Sequence, residues 1–313
     1  MRRPAVWLAF CFALPALAWN GAGHRVCAAI TYDHLTPRAR ARIDELVRHH
    51  PDYATILIRD SPPDPAGRAR AAFITAATWP DIIRNDKRFY DDSKPDAAPM
   101  PQLPGFPDMK QHRSWHYIDV PYSPEGVPAP APQAPNALSE ITRMLSEVTK
   151  PFDDPANPAY ELPWLVHIEE DLHEPLHTVS RYLKSQPMGD DGGNDVFFTP
   201  TGSAGGRLYE AMHTVWDNAI GRDTSDANVT RLAKQFEAAY VPESPVTTDP
   251  RKWLDEGFVL SVKAAYTFGL ATGSKEMPRE MPENYEANAR SVAAVQIAKA
   301  GLRMAAILNA LFN

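Results

Sequence analysis

Residues 161–182 read "ELPWLVHIEEDLHEPLHTVSRY". Apolar side chains recur through this stretch at helical spacing, which predicts a helix over 161–182. His167 and Asp171 stand four residues apart in it, so a helix places imidazole and carboxylate on one face, within reach of a single ion. One such pair is often no more than a surface ion pair. His173 and His177 are also one turn apart, but Pro175 lies between them and interrupts the helical hydrogen bonding. Spacing alone does not choose between these two histidines.

The same pattern returns downstream in "HTVWD", where His213 and Asp217 repeat the four-residue interval beside Val215 and Trp216. Helical periodicity extends well beyond these two stretches. It marks segments at about 22–34, 38–48, 69–84, 137–149, 205–220, 229–240, 251–271 and 283–312, and nothing comparable reads as a sheet. Thr36-Pro37 and Asp249-Pro250 read as a capping residue followed by proline in the first helical turn. The alanine-rich last segment is expected to pack centrally; the alternative for it is an interfacial membrane helix. The expectation is an all-α fold, with residues 19–313 forming one large helical domain. Prolines concentrate at 93–108 and 120–135, which predicts irregular surface loops. A third loop, "KSQPMGDDGGNDVFFTPTGSAGG", is rich in glycine and aspartate.

Residues 1–18 carry Arg2 and Arg3, a short apolar run, and Ala16 and Ala18 in an A-x-A arrangement. That is the layout of a signal peptide cleaved after Ala18, with a short membrane anchor as the alternative. Export to the periplasm or medium follows, with Trp19 as the first mature residue and no membrane anchor remaining. Cys11 leaves with the signal and Cys27 stays alone, so no internal disulfide is available. Bound metal is a natural substitute. Removal of Arg2 and Arg3 takes the formal net charge from −7 to −9. Such a chain lacks the broad basic footprint of a protein that binds nucleic acid by counterion release. Any positive charge for an anionic substrate must be local.

Further motifs complete the pattern: "WNGAGH" at 19–24, "TWPD" ending in Asp81, "WHYID" containing His116, and "GGND" containing Asn194. In this order, and together with "HIEEDLHEPLH" and "HTVWD", they resemble the S1/P1 nuclease family of zinc-dependent single-strand nucleases and 3'-nucleotidases. The resemblance runs from residue 19 to about 217. It implies a helical fold of the phospholipase C/P1 nuclease type with three Zn²⁺ ions at the bottom of a cleft. Position by position, it implies Asp81, His116, His167 and Asp171 for one ion, and His177, His213 and Asp217 for a second. A third would be held by His24, by Asp171 as a bridge, and by the amino nitrogen and carbonyl oxygen of Trp19. His177 is then the ligand of the ambiguous pair, and His173 a supporting or packing residue.

Five neutral imidazoles and three carboxylates around three Zn²⁺ ions would leave a local surplus of about +3. The expected reaction is attack of a zinc-bridging hydroxide on phosphorus, with Asp81, Asp171 and Arg84 as catalytic residues and 5'-phosphorylated products. Arg84 matches a basic family position and would hold phosphate oxygens. Tyr117 would stack on a base, Asp119 would accept from its edge, and Asn194 would support the cleft. His34, His49, His50 and His112 are expected to be structural or exposed. The implied substrates are single-stranded DNA, RNA and 3'-nucleotides, with no stable protein partner and a monomeric chain.

Some residues depart from the family pattern. Pro80 stands where alanine is common, Ala211-Met212 where asparagine-leucine is usual, and the intervals from His24 to Asp81 and from Asp81 to His116 are long. The missing disulfides suggest a bacterial relative. Two other readings remain. A zinc phospholipase C is similar in fold and metal site but usually carries glutamate at the place of Asp217. A non-enzymatic exported zinc-binding protein would explain the histidines but not their aromatic flanks.

Overall fold

The computed structural model describes residues 19–151, 157–200 and 209–313. The expected signal segment, 1–18, lies outside the described residues, as do 201–208 of the glycine-rich loop.

Helix α1 (Gly21–Asp33) begins at Asn20, whose side-chain oxygen accepts from the amides of Ala22 and Gly23. Helix α2 (Pro37–His49) opens on Thr36 and Pro37 as predicted: the threonine hydroxyl accepts from Ala39 N, and proline needs no amide there. Then come α3 (Pro65–Ala76), α4 (Trp79–Ile83), α5 (Ala137–Glu147), α6 (Pro158–Asp171), α7 (Met212–Asp217), α8 (Asp226–Ala239), α9 (Pro250–Leu260) and α10 (Tyr285–Phe312). The fold is all-α in character, as expected. Asp249 caps α9 ahead of Pro250.

α10 is central, as its composition suggests. It packs along α1, and the two backbones come close at Gly301, where a Cβ would meet Ile30 Cβ at 2.6 Å. Thr31 Oγ1 donates to Gly301 O and Cys27 Sγ to Ile297 O across the same contact. α10 is long and apolar enough to cross a bilayer, but 61% of its most apolar window is buried within the protein, as befits a core helix.

Several predicted helices are shorter than their apolar pattern. The segment 161–182 leaves the α-helix after Asp171, turns, and forms a 3₁₀ turn at Pro175–Thr178. Glu174 precedes proline and is extended (φ −85°, ψ 118°), which ends the helical run. The segment 69–84 breaks after Ala76 and restarts at Trp79, with Pro80 in the first turn of α4. The segment 251–271 passes from α9 into a π-turn at Ser261–Ala265.

Two small sheets also form where none was expected. β1 (Pro121–Tyr122) pairs in parallel with β2 (Ser180–Arg181), Pro121 opposite Ser180. β3 (Phe197–Thr199) lies between β4 (Glu210–Ala211) and β5 (Arg279–Glu280), antiparallel to the first and parallel to the second. β4 occupies part of the segment 205–220, so only Met212–Asp217 of it is helical among the described residues. The proline-rich stretches are otherwise irregular. A large apolar cluster gathers α1, α2, α3, α6 and α10, and a smaller one gathers Leu176, Phe198, Val215, Trp216 and Tyr285. The segments that carry His24 and His167 belong to the large cluster, and those that carry His177 and His213 to the smaller one.

Candidate metal centre

α6 supplies the middle of the site. His167 and Asp171 are fully buried and on one face, with His167 Nε2 3.3 Å from Asp171 Oδ2. The His167 ring is fixed from behind, because its Nδ1–H donates to Ala77 O at 2.7 Å. The restart of the chain at α4 brings Asp81 in, its Oδ1 3.9 Å from both His116 Nδ1 and His167 Nε2. His116 arrives on a 3₁₀ turn (Arg113–His116), its Nδ1 3.1 Å from Asp171 Oδ2 and 2.9 Å from His167 Nε2.

His24, in the first turns of α1, approaches Asp171 from the other side. Its Nε2 is 3.4 Å from Asp171 Oδ1, and its ring stacks on His167 at 4.0 Å. Asp171 therefore turns one oxygen toward His116 and His167 and the other toward His24. Trp19 is buried nearby, and the Asn20 amide donates to Asp217 O at 3.1 Å, tying this end of the chain to α7.

His177 and His213 form the remaining group, with ring centroids 4.7 Å apart. His213 Nδ1–H donates to Gly192 O, leaving Nε2 3.6 Å from Asp217 Oδ1. Gly192 and Gly193 both have positive φ, and a Cβ on Gly192 would meet the backbone Leu176 O at 2.6 Å, so this turn needs glycine to come so close.

Three sets of ligand atoms lie within 4.8 Å of one another: His24, His167 and Asp171; Asp81, His116 and His167; and Glu174, His177, His213 and Asp217. The structure thus brings together all eight side chains that the sequence nominates as ligands besides Trp19. It adds Glu174, whose Oε2 accepts from His177 N at 2.9 Å and lies 2.7 Å from His177 Nδ1. It also adds Glu170, whose Oε2 lies 2.6 Å from His24 Nδ1. Sequence reasoning passed over both glutamates. The one available signal was Glu174 directly ahead of proline, the place of a capping carboxylate.

The donor chemistry suits divalent cations. His24 Nε2, Asp171 Oδ1 and Asp217 Oδ1 are buried with no hydrogen-bond partner among the described residues. Burial, followed by the neighbouring Asp81, pushes the Asp171 carboxyl well above the usual range, and burial followed by Glu174 does the same to Asp217. Burial also lowers His177 to about 3 and His213 to about 4. Buried carboxylates packed among neutral imidazoles are costly alone, and a cation at their centre removes that cost.

Around the centre, Arg84 Nη1 donates to Asp81 Oδ1 at 3.1 Å. Tyr117 is 38% exposed. Asp119 is half-buried, and burial, then Asp191 and Asp190, push its carboxyl up to about 7. Asn194 Nδ2 donates to Asp191 O and secures the turn that presents Gly192 O.

His173 stands apart from the centre. Its Nδ1–H donates to Glu169 O, and its Nε2 accepts from Arg303 Nη1 at 2.9 Å, joining the turn after α6 to α10. Of the histidines expected to be structural, His112 stacks on Trp115 and His50 packs against Trp79.

A comparison with curated proteins returns no match. The family model described as S1/P1 Nuclease matches residues 19–313. That span takes in every element that brings a side chain to the centre, including those whose long intervals depart from the expected pattern. On this match the chain belongs to the S1/P1 nuclease family, a family of zinc-dependent nucleases that cleave phosphodiester bonds.

Proposed function

We propose that this chain is an exported enzyme, secreted or periplasmic, that holds three Zn²⁺ ions. It hydrolyses single-stranded DNA and RNA to 5'-phosphorylated products and removes phosphate from 3'-nucleotides. The observation that carries this reading is Asp171, buried on α6 with its two oxygens facing different imidazole sets. Asp81, His116, His167 and Asp171 would hold one ion and His177, His213 and Asp217 a second. His24, Asp171 and the terminal amine and carbonyl of Trp19 would hold the third. Cleavage ahead of Trp19 frees that amine, and the family match begins at the same residue.

Bound zinc supplies Lewis acidity toward phosphoryl oxygens and makes a neighbouring water more acidic. The chain's own residues do the rest. Asp81 and Asp171 would fix the cations through their carboxylate oxygens, and burial keeps the imidazoles of His24 and His116 neutral. Arg84 shares its guanidinium between Asp81 and an incoming phosphate oxygen. Tyr117 offers a face for base stacking, and Asp119 reads the base edge.

The test is zinc analysis of the chain starting at Trp19, with assays on single-stranded DNA, RNA, a 3'-nucleotide and phosphatidylcholine. Three zinc ions per chain and cleavage of the nucleic acids are expected. Asp171→Asn should lose two ions together and lower kcat by about 10²-fold or more, since a carboxylate between cations is removed. Lipid cleavage with inert nucleic acid would establish the phospholipase reading instead, and zinc without any hydrolysis the storage reading.

A further inference from the structure

The five histidines at the centre are held from behind in different ways. His167 and His213 donate to backbone carbonyls, Ala77 O and Gly192 O. His116 turns Nδ1 inward, and its Nε2 is buried without a partner among the described residues. His24 and His177 alone have a carboxylate behind them: Glu170 Oε2 at 2.6 Å and Glu174 Oε2 at 2.7 Å, both glutamates 0% exposed.

We propose that Glu170 and Glu174 are positioning residues that lock His24 and His177 with Nδ1 protonated and Nε2 directed inward, and thereby set how tightly two of the three ions are held. This rests on the metal-centre reading above. Neither carboxylate is free to wander. Glu174 caps the Pro175–Thr178 turn, where one oxygen accepts both the amide and the ring N–H of His177, and its own amide donates to Asp171 O at 2.9 Å. Glu170 is fully buried on α6, and with its neighbour Asp171 it meets the two ring nitrogens of His24, Glu170 at Nδ1 and Asp171 at Nε2. Glu174 also lies within ligand distance of the His177–His213–Asp217 set; its Oε2 is engaged twice by His177 and orients that ring, while its Oε1 is buried without a hydrogen-bond partner among the described residues.

Two consequences follow. A carboxylate behind an imidazole fixes its tautomer and makes it a stronger donor, with an effect on metal affinity of about 10–100-fold. If both carboxyls are ionised beside bound cations, they would also lower the local surplus from about +3 to about +1. Carboxylate backing falls on one imidazole of the second set and one of the third, and on none of the first. The retention of the three ions should therefore respond selectively.

The experiment measures bound zinc per chain in the metal-loaded protein against graded concentrations of a chelator. It compares wild type with Glu170→Ala, Glu170→Gln, Glu174→Ala and Glu174→Gln. Each alanine variant is expected to lose one ion at about 10–100-fold lower chelator concentration while keeping the other two at the wild-type midpoint. Each glutamine variant, which keeps an acceptor but not the charge, should fall between. A merely structural role would move all three ions or none. Wild-type curves for both alanine variants would overturn the proposal. If an alanine variant fails to fold, the glutamine variant decides, and a wild-type curve for it overturns the proposal at that residue. Wild type without zinc would overturn the metal-centre reading itself, and this inference with it.

Discussion

Gly23 shows how much one residue decides. A Cβ there would lie 2.7 Å from Trp19 Cβ, so the first turn of α1 closes over the tryptophan only because position 23 has no side chain. Gly23→Ala should push Trp19 out of its seat one residue from His24. The expected outcome is loss of one zinc ion per chain and an activity drop of at least about 10-fold, read by metal analysis and by nuclease assay. Adding a residue ahead of Trp19 should have the same signature; three retained ions in either protein would count against a ligand role for Trp19. His50 allows a prediction about pH. It is buried against Trp79, its Nδ1 accepts from Asp52 N, and burial followed by Arg88 lowers it to about 4 against the opposing charge of Asp52. Between pH 6.5 and 4 the unfolded chain takes up a proton there that the folded chain refuses. Stability present above about 6.5 is therefore lost as pH falls through this window, by about 2 kcal/mol from pH 7 to 5. His50→Gln keeps an acceptor and does not titrate, so its urea midpoint should fall less over that range than the wild-type midpoint. Parallel declines would contradict the assignment.

At the scale of elements, helical faces were legible and helical ends were not. The stretch 161–182 looked continuous because Leu172, Leu176, Val179 and Tyr182 are all buried, so the apolar pattern persists after the α-helix stops. Periodicity reports burial, and a compact turn between two clusters buries its residues as well as a helix does. Pro175 was visible as an interruption, but its effect, a capped 3₁₀ turn that aims His177 inward, depends on Glu174. The break at residues 77–78 has a similar origin. Pro80 suits the first turn of a helix, so the chain restarts there and Asp81 turns toward His116 and His167. Strands of two or three residues are too short to show alternation, which is why both sheets escaped a sequence reading. The ligand side chains were legible through short motifs and resemblance. Their support was not: His24 and Glu170 meet across 146 residues, and nothing local announces that pairing.

Across the whole molecule, the centre acts as a cross-link. Its side chains come from α1, α4, α6, α7 and two 3₁₀ turns, which span residues 24 to 217. Cys27, the cysteine among the described residues, is buried and free, so these elements have no covalent tie there. The centre also gathers carboxylates that repel one another when no cation lies between them. Removing the ions should therefore destabilise the fold as a whole rather than one loop. Each ion present at about 1,000 times its dissociation constant contributes about 4 kcal/mol by mass action. For a chain of this size that corresponds to a fall in Tm on the order of 10 °C per ion lost. Calorimetry of the zinc-loaded protein and of the same protein after chelation would measure it. The chelated protein should melt much earlier, and added zinc should restore the original transition. An unchanged Tm would mean that the packing of α1 against α10 and α6 holds these elements in place by itself. A low-temperature step confined to part of the heat absorption would mean that the centre ties down only its own segments.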